Sequence, residues 1–559
     1  MYIILHKYSN NYITYQIYIY RKKQYLLLLF PIFKLINSFL LIIKDGNMHI
    51  CSYILKSILS MSLLLSFAKN AFSQEKIDDI EVIGISPLPG IEIDRNKIPN
   101  SSQSLREIDL DSSTGTTIVD LLGEKLTGVT IKDVQNSPFQ KNIDYRGFTA
   151  APLLGESQGL AVYLNGTRIN EGFGDTLQWE LVPEAALTDI DLMSSNPVFG
   201  LNALGGSLAL TTKKGLDFLN TDSSVENHLE LGGADWVNGN IELGVGDNSQ
   251  GLYVAMESSY DGGWRDNSAG DVQRLFLNYG KIFENSDFDF TFMNADSNLN
   301  GNGVSPTELL KVRRESVFTW PDFTSNKVYL AASNANFYLE DDSVINTSVY
   351  YRRLIRDTLN ADELDAEECA EDNATHAEQL EDDFGTDDEP ICGEADGDNY
   401  EVLIDQYGNA ISNNDAIRKY GLLNKSSTMT VTWGGSAQYN IDTNYLNKMH
   451  NIIIGASIDK SRTAFHSRGE LGQLHNNRTV TNIGNSEGGF ITLESIREHT
   501  GSSGGKEDAN ERGDVGSAQL ASKTDYYGIY VNDLFAFDDK TDITISARAN
   551  LAYVKLYDH

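Results

Sequence analysis

From about residue 224 onward, apolar and polar side chains alternate along the chain. Phenylalanine alternates with aspartate and threonine from Asp287 to Phe292, and threonine alternates with methionine, valine and tryptophan from Thr428 to Trp433. Successive side chains of a β-strand point to opposite faces, so this period predicts strands with one apolar and one polar face. A soluble antiparallel sheet shows the same alternation, so the pattern alone leaves the surroundings of the strands open.

The connections between the expected strands alternate in length. Short turns follow the second, fourth, sixth, eighth and tenth strands, the links after the fifth, seventh and ninth are long, and those after the first and third are shorter loops. Brief turns on one side and extended loops on the other indicate an outer-membrane β-barrel, with lipid outside and a wet lumen inside. The expected strands are 227–234, 239–246, 251–261, 270–281, 287–295, 326–339, 343–353, 427–440, 449–461, 524–537 and 541–554.

The N-terminal segments indicate export. Residues 1–47 are biased towards Ile, Tyr, Leu, Lys and Asn without a helical period, so we interpret them as an upstream extension and expect translation to start at Met48. The alternative is a transmembrane helix over Tyr25 to Ile43. Residues 48–73 have the positive charge, short apolar core and small-residue cleavage site of a secretory signal peptide, so we expect the mature chain to begin at Gln74.

Charge and motifs exclude two classes of function. The chain has 44 Lys and Arg against 79 Asp and Glu, a formal net charge of −35. Binding to a phosphate backbone needs a basic face, so we expect no nucleic-acid partner. The acidity fits either solubility and salt adaptation or a surface that attracts cations. No nucleophile elbow and no H-E-x-x-H motif is found, so we expect no enzyme, and a secreted β-rich hydrolase is disfavoured.

The link 356–425 is the most acidic segment. Between Ala361 and Tyr400 there are about seventeen Asp and Glu residues and no Lys or Arg. Oxygen ligands suit hard cations such as calcium, but we favour a solvated acidic surface and assign no metal site and no cofactor. Cys369 and Cys392 lie in this segment. In an exported protein we expect them to form a disulfide, which stabilises the loop by about 3 kcal/mol.

A run of short elements lies between Leu160 and Gly215. Asn-Gly after a strand is a strong tight-turn signal, and proline is well tolerated in the first turn of a helix. The elements are, in order, the strand Leu160 to Leu164, the turn Asn165-Gly166, a short helix starting near Pro183, the strand Asp189 to Met193, the turn Asn196-Pro197, Phe199-Gly200, Gly205-Gly206 and the strand Ser207 to Thr212. Their order and spacing resemble the C-terminal half of the plug domain of TonB-dependent outer-membrane receptors.

The preceding residues, 101–159, resemble the first half of the same plug. Thr117 to Gly123 looks like the start of an amphipathic helix, and Asn142 to Phe148 is similar to the family's Ile-Arg-Gly strand. In this interpretation Arg146 lies inside a barrel and needs an acidic partner, because an unpaired buried guanidinium is costly; the alternative is an exposed strand arginine. The resemblance implies structural roles for Arg146, Gly147, Asn165, Gly166, Pro197, Gly200, Gly205 and Gly206.

Residues 74–100 contain a short extended segment followed by a linker. The segment resembles the TonB box, which adds as an edge strand to a partner protein through main-chain hydrogen bonds. The resemblance implies that this segment interacts with a TonB-type energy-coupling protein of the inner membrane. Its residues are Asp79, Ile80, Glu81, Val82, Ile83 and Gly84.

Together these features predict a mainly β fold in which a small α+β plug domain, 101–215, lies inside a large antiparallel transmembrane β-barrel. Such barrels have about 22 strands, so we expect residues 224–559 to supply only about half. The resemblance implies TonB-dependent active uptake of an extracellular small-molecule ligand across the outer membrane of a Gram-negative bacterium. Ferric siderophore, haem, cobalamin and other nutrients stay open, so an iron complex is one of several ligands.

Two further alternatives stay open at this point. The first is an outer-membrane binding or adhesion receptor without energised transport. The second concerns Trp264 and Trp320, which lie in expected outer loops. These two rings fit stacking on a ligand and equally fit an interfacial aromatic girdle.

Overall fold

The computed structural model describes the larger part of the chain. The described residues are 6–7, 13–19, 82–84, 86–88, 92–94, 98, 100–111, 117–133, 135–194, 196–364, 366–368, 390–393, 400–414, 416–417, 419–484, 491–498, 517–538 and 541–558. The expected signal peptide, 48–73, and most of the expected upstream extension, 1–47, lie outside them and stay predictions. Among the described residues no helix is both long and apolar enough to cross a membrane.

Strands dominate the described fold, and helices are few and short. In chain order the strands are β1 (His6–Lys7), β2 (Ile13–Ile19), β3 (Val82–Gly84), β4 (Glu92–Asp94), β5 (Ser102–Arg106), β6 (Val129–Asp133), β7 (Lys141–Tyr145), β8 (Phe148–Ala150), β9 (Leu160–Leu164), β10 (Thr167–Arg168), β11 (Leu187–Met193), β12 (Gly206–Thr212), β13 (Ser224–Leu231), β14 (Val237–Gly246), β15 (Gln250–Asp261), β16 (Gly270–Ile282), β17 (Ser286–Asn300), β18 (Asp322–Tyr338), β19 (Val344–Glu363), β20 (Ala366–Glu368), β21 (Ile391–Gly393), β22 (Tyr400–Ile404), β23 (Tyr420–Tyr445), β24 (Lys448–Leu474), β25 (Val480–Asn482), β26 (Thr492–Glu498), β27 (Ala518–Asp538) and β28 (Thr541–Asp558). The α-helices are Glu107–Asp111, Ile118–Lys125 and Thr307–Val312, and the 3-10 helices are Trp179–Leu181, Glu184–Ala186, Pro197–Phe199 and Gly215–Phe218.

All the strands predicted by alternation are present, and they form one antiparallel sheet that we call the wall. It consists of β13 to β19, β23, β24, β27 and β28, each paired with the next. The first wall strand, β13, also pairs with β2. Plug segments contact wall strands from β14 to β28, so the wall surrounds much of the plug.

The wall has two different rims. The short-turn rim holds the connections 247–249, 283–285, 339–343 and 446–447, and the long-loop rim holds 232–236, 262–269, 301–321, 364–419 and 475–517. The wall strands extend further towards the long-loop rim than predicted: β19 runs to Glu363, which pairs with Gly421 of β23. The acidic link is therefore shorter than the expected 356–425. The ladder continues past the region of clean alternation because main-chain pairing does not require one apolar face.

The wall places its apolar side chains outward and its polar side chains inward. On β23, Trp433 is 49% exposed whereas its neighbour Thr432 on the other face is 8% exposed. On β17, Phe290 faces out, and Asp289 and Thr291 face the plug. This polarity is the reverse of a soluble sheet packed on an apolar core, and it is the polarity that a lipid-facing barrel requires.

The plug has its own small core. Its main sheet has the order β10-β9-β12-β11-β5, in which β12 runs parallel to β9 and the other neighbours are antiparallel. The helix Ile118–Lys125 packs Leu121 and Leu122 into the apolar cluster formed by these strands. Thr117 caps that helix, because its side chain accepts from Asp120 N–H while Asp120 accepts from Thr117 N–H. This reciprocal cap explains why the predicted helix begins at this position.

Part of the two longest loops folds into a small unit that we call the rim module. It contains β20, β21, β22 and β26, and β22 of one loop pairs with β26 of the other. Ile391, Leu403 and Ile411 form an apolar cluster with Leu471 near the end of β24. The rim module therefore joins two chain segments above the wall.

Candidate functional site

The turn between β9 and β10 fixes the centre of the plug. Asn165 and Gly166 have φ values of 47° and 85°, the left-handed conformation that an Asn-Gly hairpin turn requires. The Asn165 amide donates to Thr212 Oγ1 over 2.7 Å, and its carbonyl oxygen accepts from Thr212 N–H over 3.1 Å. The predicted turn is confirmed, and the same side chain ties it to the end of β12.

The glycines of the next plug segment allow close packing. Pro197 opens a 3-10 helix whose preceding residue, Asn196, accepts from Val198 N–H over 3.0 Å. A Cβ on Gly205 would lie 2.6 Å from the Phe148 side chain, and a Cβ on Gly206 would lie 2.8 Å from Met193 O. Both positions exclude larger residues unless their neighbours move.

Gly200 lies where the plug meets the last wall strand. A Cβ on Gly200 would overlap the guanidinium of Arg548 on β28. Arg548 donates to Val198 O over 2.9 Å and to Ser457 Oγ over 2.8 Å. Tyr163 donates to Phe199 O over 2.8 Å from the other side. The segment around Gly200 is thus held by plug and wall together.

The structure places Arg146 differently from the expectation of a buried residue with an acidic partner. Arg146 and Gly147 form the exposed turn between β7 and β8, with φ values of 56° and 85°. The Arg146 guanidinium lies 4.9 Å from the ring centroid of Tyr145. The expectation was wrong because strand β7 ends at Tyr145, one residue before Arg146, so the arginine lies in a solvent-facing turn.

Another arginine joins plug and wall. Arg274 on β16 is buried, and its Nη2 lies 3.0 Å from Glu184 Oε1 of the plug. Its Nη1 contacts Glu257 on the neighbouring strand β15, and its Nε donates to Glu180 O over 2.6 Å. One wall cation therefore binds two plug residues and one wall carboxylate.

Further buried contacts join the plug to wall strands β18 and β19. Arg352 pairs with Glu171 of the plug, and Arg356 donates to Pro152 O over 2.7 Å. The side-chain amide of Asn326 donates to Glu180 Oε1 over 2.7 Å. The plug segment from Glu171 to Glu184 is consequently held against the wall by charged and polar contacts, which are costly to break one at a time.

Burial changes the acidity of these plug carboxyls. It raises the pKa of Glu180 to about 7 and that of Glu184 to about 7, more than the nearby arginines lower them. Burial also raises the pKa of Glu171, against the effect of Arg352. A buried carboxyl favours its neutral form, so the contacts that Glu180 and Glu184 make with the wall are sensitive to protonation near neutral pH.

A cavity of about 520 Å³ separates the plug from the wall near the short-turn rim. It lies between the end of β12 and strands β13 to β15, and its lining is mostly polar or charged. Lys213 Nζ lies 2.8 Å from Glu242, 3.2 Å from Glu107 and 3.5 Å from Glu226. The plug is thus packed less tightly here than beside Arg274.

The plug loop 135–140 meets the long-loop rim. Trp264 Nε1 donates to Asn136 Oδ1 over 3.2 Å, and Asn302 N–H donates to Gln135 O over 2.8 Å. Phe139 stacks on Trp236 with ring centroids 5.5 Å apart. Three rim loops therefore contact one plug loop.

The expected TonB box is described only in part. Asp79, Ile80 and Glu81 lie outside the described residues, and Val82, Ile83 and Gly84 form β3, paired with β4. Pro87 lines a cavity of about 30 Å³ together with Tyr163, Arg168, Tyr350 and Asp459. The role of the segment stays a prediction.

The predicted disulfide is likewise described on one side. Cys392 in β21 is disulfide-bonded, and Cys369 lies outside the described residues, as do 370–389 and 394–399 of the acidic link. Among the described residues no cluster of three or more His, Cys, Asp or Glu side chains is placed to hold a metal ion.

Sequence reasoning missed the plug–wall contacts. Arg274 could have been recognised as inward-facing, because it shares a strand face with Val272, Phe276 and Asn278. Its partner Glu184 is far away in sequence and carries no local signal. Only the folded arrangement brings the two together.

Comparisons with known proteins follow the same division into plug and wall. Residues 94–207 match the TonB-dependent Receptor Plug Domain family model. No curated protein matches the chain in sequence. Solved structures match the fold at low identity, and the chain spans between 60% and 61% of the length of the three described next.

Three of these structures are receptors or transporters by title. The ferric-catecholate import receptor Fiu from E. coli K12 matches with 11% identity, a TM-score of 0.52 and 83% of this chain covered against 61% of that chain. The ferric citrate transporter FecA matches with 14% identity and a TM-score of 0.51, and the match covers 83% of this chain and 61% of that chain. The pyoverdine outer membrane receptor FpvA from Pseudomonas aeruginosa PAO1 matches with 11% identity and a TM-score of 0.54, and the match covers 85% of this chain and 60% of that chain.

Proposed function

The chain has the plug domain and the fold of a TonB-dependent receptor, and from this premise we propose that it takes up a small ligand across the outer membrane of a Gram-negative bacterium. The long-loop rim faces outward and receives the ligand. The segment Asp79 to Gly84 is bound and pulled by a TonB-type protein of the inner membrane. We propose no chemical conversion of the ligand.

The seating of the plug is the observation that carries this proposal. Arg274 and Arg352 of the wall bind Glu184 and Glu171 of the plug in buried pairs. A ligand cannot pass while these contacts hold, and separating buried charges needs several kcal/mol. Passage therefore requires work from outside the chain, which is the reason to expect an energy-coupling partner.

We propose an iron complex as the ligand class. Support comes from the solved neighbours, whose titles name ferric-catecholate import, ferric citrate transport and pyoverdine binding. The rim contacts at Trp264 and Asn136 support a ligand position next to the plug. Expression that rises under iron starvation, and not under carbon limitation, is the first expected result.

The experiment that tests energised uptake removes the coupling segment while keeping the rim. Deletion of Asp79 to Gly84 is expected to abolish uptake of a radiolabelled iron chelate and to leave binding to whole cells unchanged. Ile83→Pro is expected to act in the same way, because proline removes a main-chain donor from the edge strand. Ile83→Ala, which keeps that donor, serves as the control. Uptake that survives the deletion would favour a binding or adhesion receptor without transport.

A further inference from the structure

The outward face of the wall carries a cluster of basic side chains on strands β19, β23, β24, β27 and β28. Directly paired residues of neighbouring strands lie on the same face, so the register of these strands defines rows of outward side chains. One row runs from Arg353 to Lys555, and the adjacent row, one step nearer the short-turn rim, runs from Tyr351 to Tyr553. We call these two rows the basic band. Its basic residues are Arg353, Lys460, Arg462, Lys523 and Lys555.

The basic band has an excess of positive charge. Its single carboxylate, Asp525, lies 3.5 Å from Arg462 Nη1 and 3.4 Å from Lys523 Nζ. Arg353 and Lys555 are exposed, and neither forms an ion pair with a carboxylate among the described residues. The whole chain has a net charge of −35, so this local excess opposes the charge of the protein. A concentrated positive surface attracts and orients anions.

Aromatic rings lie among these bases. Lys460 Nζ lies 5.6 Å from the ring centroid of Trp433 and 5.5 Å from that of Tyr527. Tyr351 and Tyr553 are exposed in the same row as Trp433. Outward tryptophan and tyrosine side chains are typical of the level at which a membrane protein meets lipid head groups.

The position of the band along the strands agrees with that level. On β28 the outward residues from Ile543 to Leu551 are all apolar, and Tyr553 and Lys555 follow them. A strand needs about 9–11 residues to cross a hydrocarbon core, which is close to the length of this apolar run. With lipid against this face, the bases lie where the hydrocarbon ends on the long-loop side.

The next outward row towards the long-loop rim is uncharged again. A band of cations between uncharged rows differs from a generally solvated surface, and its excess charge calls for an anion that can approach apolar side chains. A phosphorylated lipid has this form, because its phosphates and its acyl chains belong to one molecule. The uncharged row consists of Ile355, Met429, Ala464, Ala521 and Tyr557.

Strands β16, β17 and β18 show no such excess. The first charged residues after their outward apolar runs are Asp271, Asp296 and Lys327, which together are net negative. Lys327 Nζ also lies 2.9 Å from Asp296, so its charge is paired. The basic band is therefore a local feature of one part of the wall and not a property of the whole boundary.

We propose that the basic band binds the phosphate groups of an anionic lipid in the leaflet on the long-loop side. The Arg353 guanidinium and the Lys460 and Lys555 ammonium groups bind phosphate oxygens, and the acyl chains pack on the apolar outward residues between the band and the short-turn rim. This binding concerns the outer face of the wall, so it is independent of the ligand that the plug admits. It holds the wall at a defined depth in the membrane.

Native mass spectrometry of the purified full chain tests the choice of lipid. Lipid A with two phosphate groups and zwitterionic phosphatidylethanolamine are offered in equal amounts in detergent. Lipid A is expected to bind at least about tenfold more tightly, which corresponds to about 1.4 kcal/mol, and its binding is expected to weaken as salt is raised. Equal binding of both lipids, or binding of neither, overturns the proposal.

Inorganic phosphate separates a lipid site from a site for free phosphate. It shares the anionic oxygens and lacks the acyl chains, so a tenfold excess over lipid A is expected to leave lipid A bound. Displacement of lipid A by that excess would overturn the assignment to a lipid. Uptake that depends on Asp79 to Gly84 would then still stand, because that test does not involve the basic band.

Matched double variants locate the site. Lys460→Gln with Lys555→Gln is expected to weaken lipid A binding by about tenfold or more. The control is Lys281→Gln with Lys327→Gln, which also removes two outward lysines, one of them 5.3 Å from the ring centroid of Phe283. The control is expected to change lipid A binding by less than about threefold. Equal effects of the two double variants would overturn the site.

Asp525→Asn separates lipid binding from a structural role of the band. This variant removes the one carboxylate of the band and frees Arg462 and Lys523, so lipid A is expected to bind at least about threefold more tightly. A band that served only to hold the strands together would lose ion pairs and gain no affinity for lipid. Unchanged or weaker binding of lipid A to Asp525→Asn would overturn the proposal.

Discussion

Arg274 of the wall and Glu184 of the plug form a buried ion pair, with 3.0 Å between Nη2 and Oε1. The arginine side chain is 2% exposed and also contacts Glu257 of the wall. Because two carboxyl groups share this cation, its removal leaves a buried carboxyl without its charged partner on each side of the interface. The pair is therefore the most direct test of how the plug is held.

Arg274→Met is expected to loosen the plug. Removal of one partner of a buried pair costs about 3–5 kcal/mol, so the thermal midpoint should fall. Cells should also become sensitive to an antibiotic too large for general diffusion pores. Arg313→Met, which breaks an exposed pair with Asp266, is the control and should cost less than about 1 kcal/mol. An equal effect of both variants would argue against the role of the buried pair.

Glu180 makes plug stability depend on pH. Burial raises the pKa of this carboxyl from 4.5 to about 7, so between these values the folded state holds a proton that the unfolded state has lost. Stability contributed by this group therefore falls as pH rises through that window. Glu180→Gln should flatten the pH profile of the unfolding free energy by about 3 kcal/mol.

The control for this pH effect is Glu124→Gln, which changes an exposed carboxyl of the same domain. Its thermal midpoints between pH 5 and pH 8 should parallel those of the unaltered protein. A Glu180→Gln profile as steep as that of Glu124→Gln would show that the Glu180 carboxyl does not titrate in this range.

The Asn165 turn has two separable contributions, its backbone conformation and its bonds to Thr212. Asn165→Gly keeps the left-handed conformation and loses the side-chain bonds, at an expected cost of about 1–3 kcal/mol. Asn165→Ala loses the bonds and adds strain at positive φ, about 1–2 kcal/mol more. The thermal midpoint of Asn165→Gly should therefore lie above that of Asn165→Ala. The reverse order would contradict the turn geometry.

We predict a specific disulfide in the rim module. Cys392 is disulfide-bonded, and the expected partner is Cys369. Peptide mapping without reductant should recover these two cysteines in one linked peptide. Cys392→Ser should make the loops more sensitive to limited proteolysis, because the cross-link is worth about 3 kcal/mol. A free Cys369 thiol in the unaltered protein would refute the pairing.

Alternation was sufficient to predict the wall and insufficient to predict its upper ends. The strand β17 was predictable because Phe290 faces outward while Asp289 and Thr291 face the plug. β23 begins at Tyr420, earlier than predicted. Beyond the apolar belt both faces of a strand meet water or loop residues, so the two-residue period fades although the main-chain ladder continues.

Short turn signals in the sequence were sufficient to predict the plug, but not to predict how the plug is attached to the wall. Asn165-Gly166 marks a turn by local conformational preference, which any single sequence displays. Arg146 was misplaced because a family pattern indicated a strand where Arg146-Gly147 forms a turn. The contact between Arg274 and Glu184 depends on two elements that meet only in the folded protein, so no local pattern encodes it.

Pairing of β22 with β26 makes the rim module a composite of two loops that are distant in sequence. An antibody or phage that meets the rim module would therefore meet two chain segments that are distant in sequence. A peptide copied from either loop alone would not reproduce that epitope. Vaccines or affinity reagents against this protein would therefore need the folded pair of loops as immunogen.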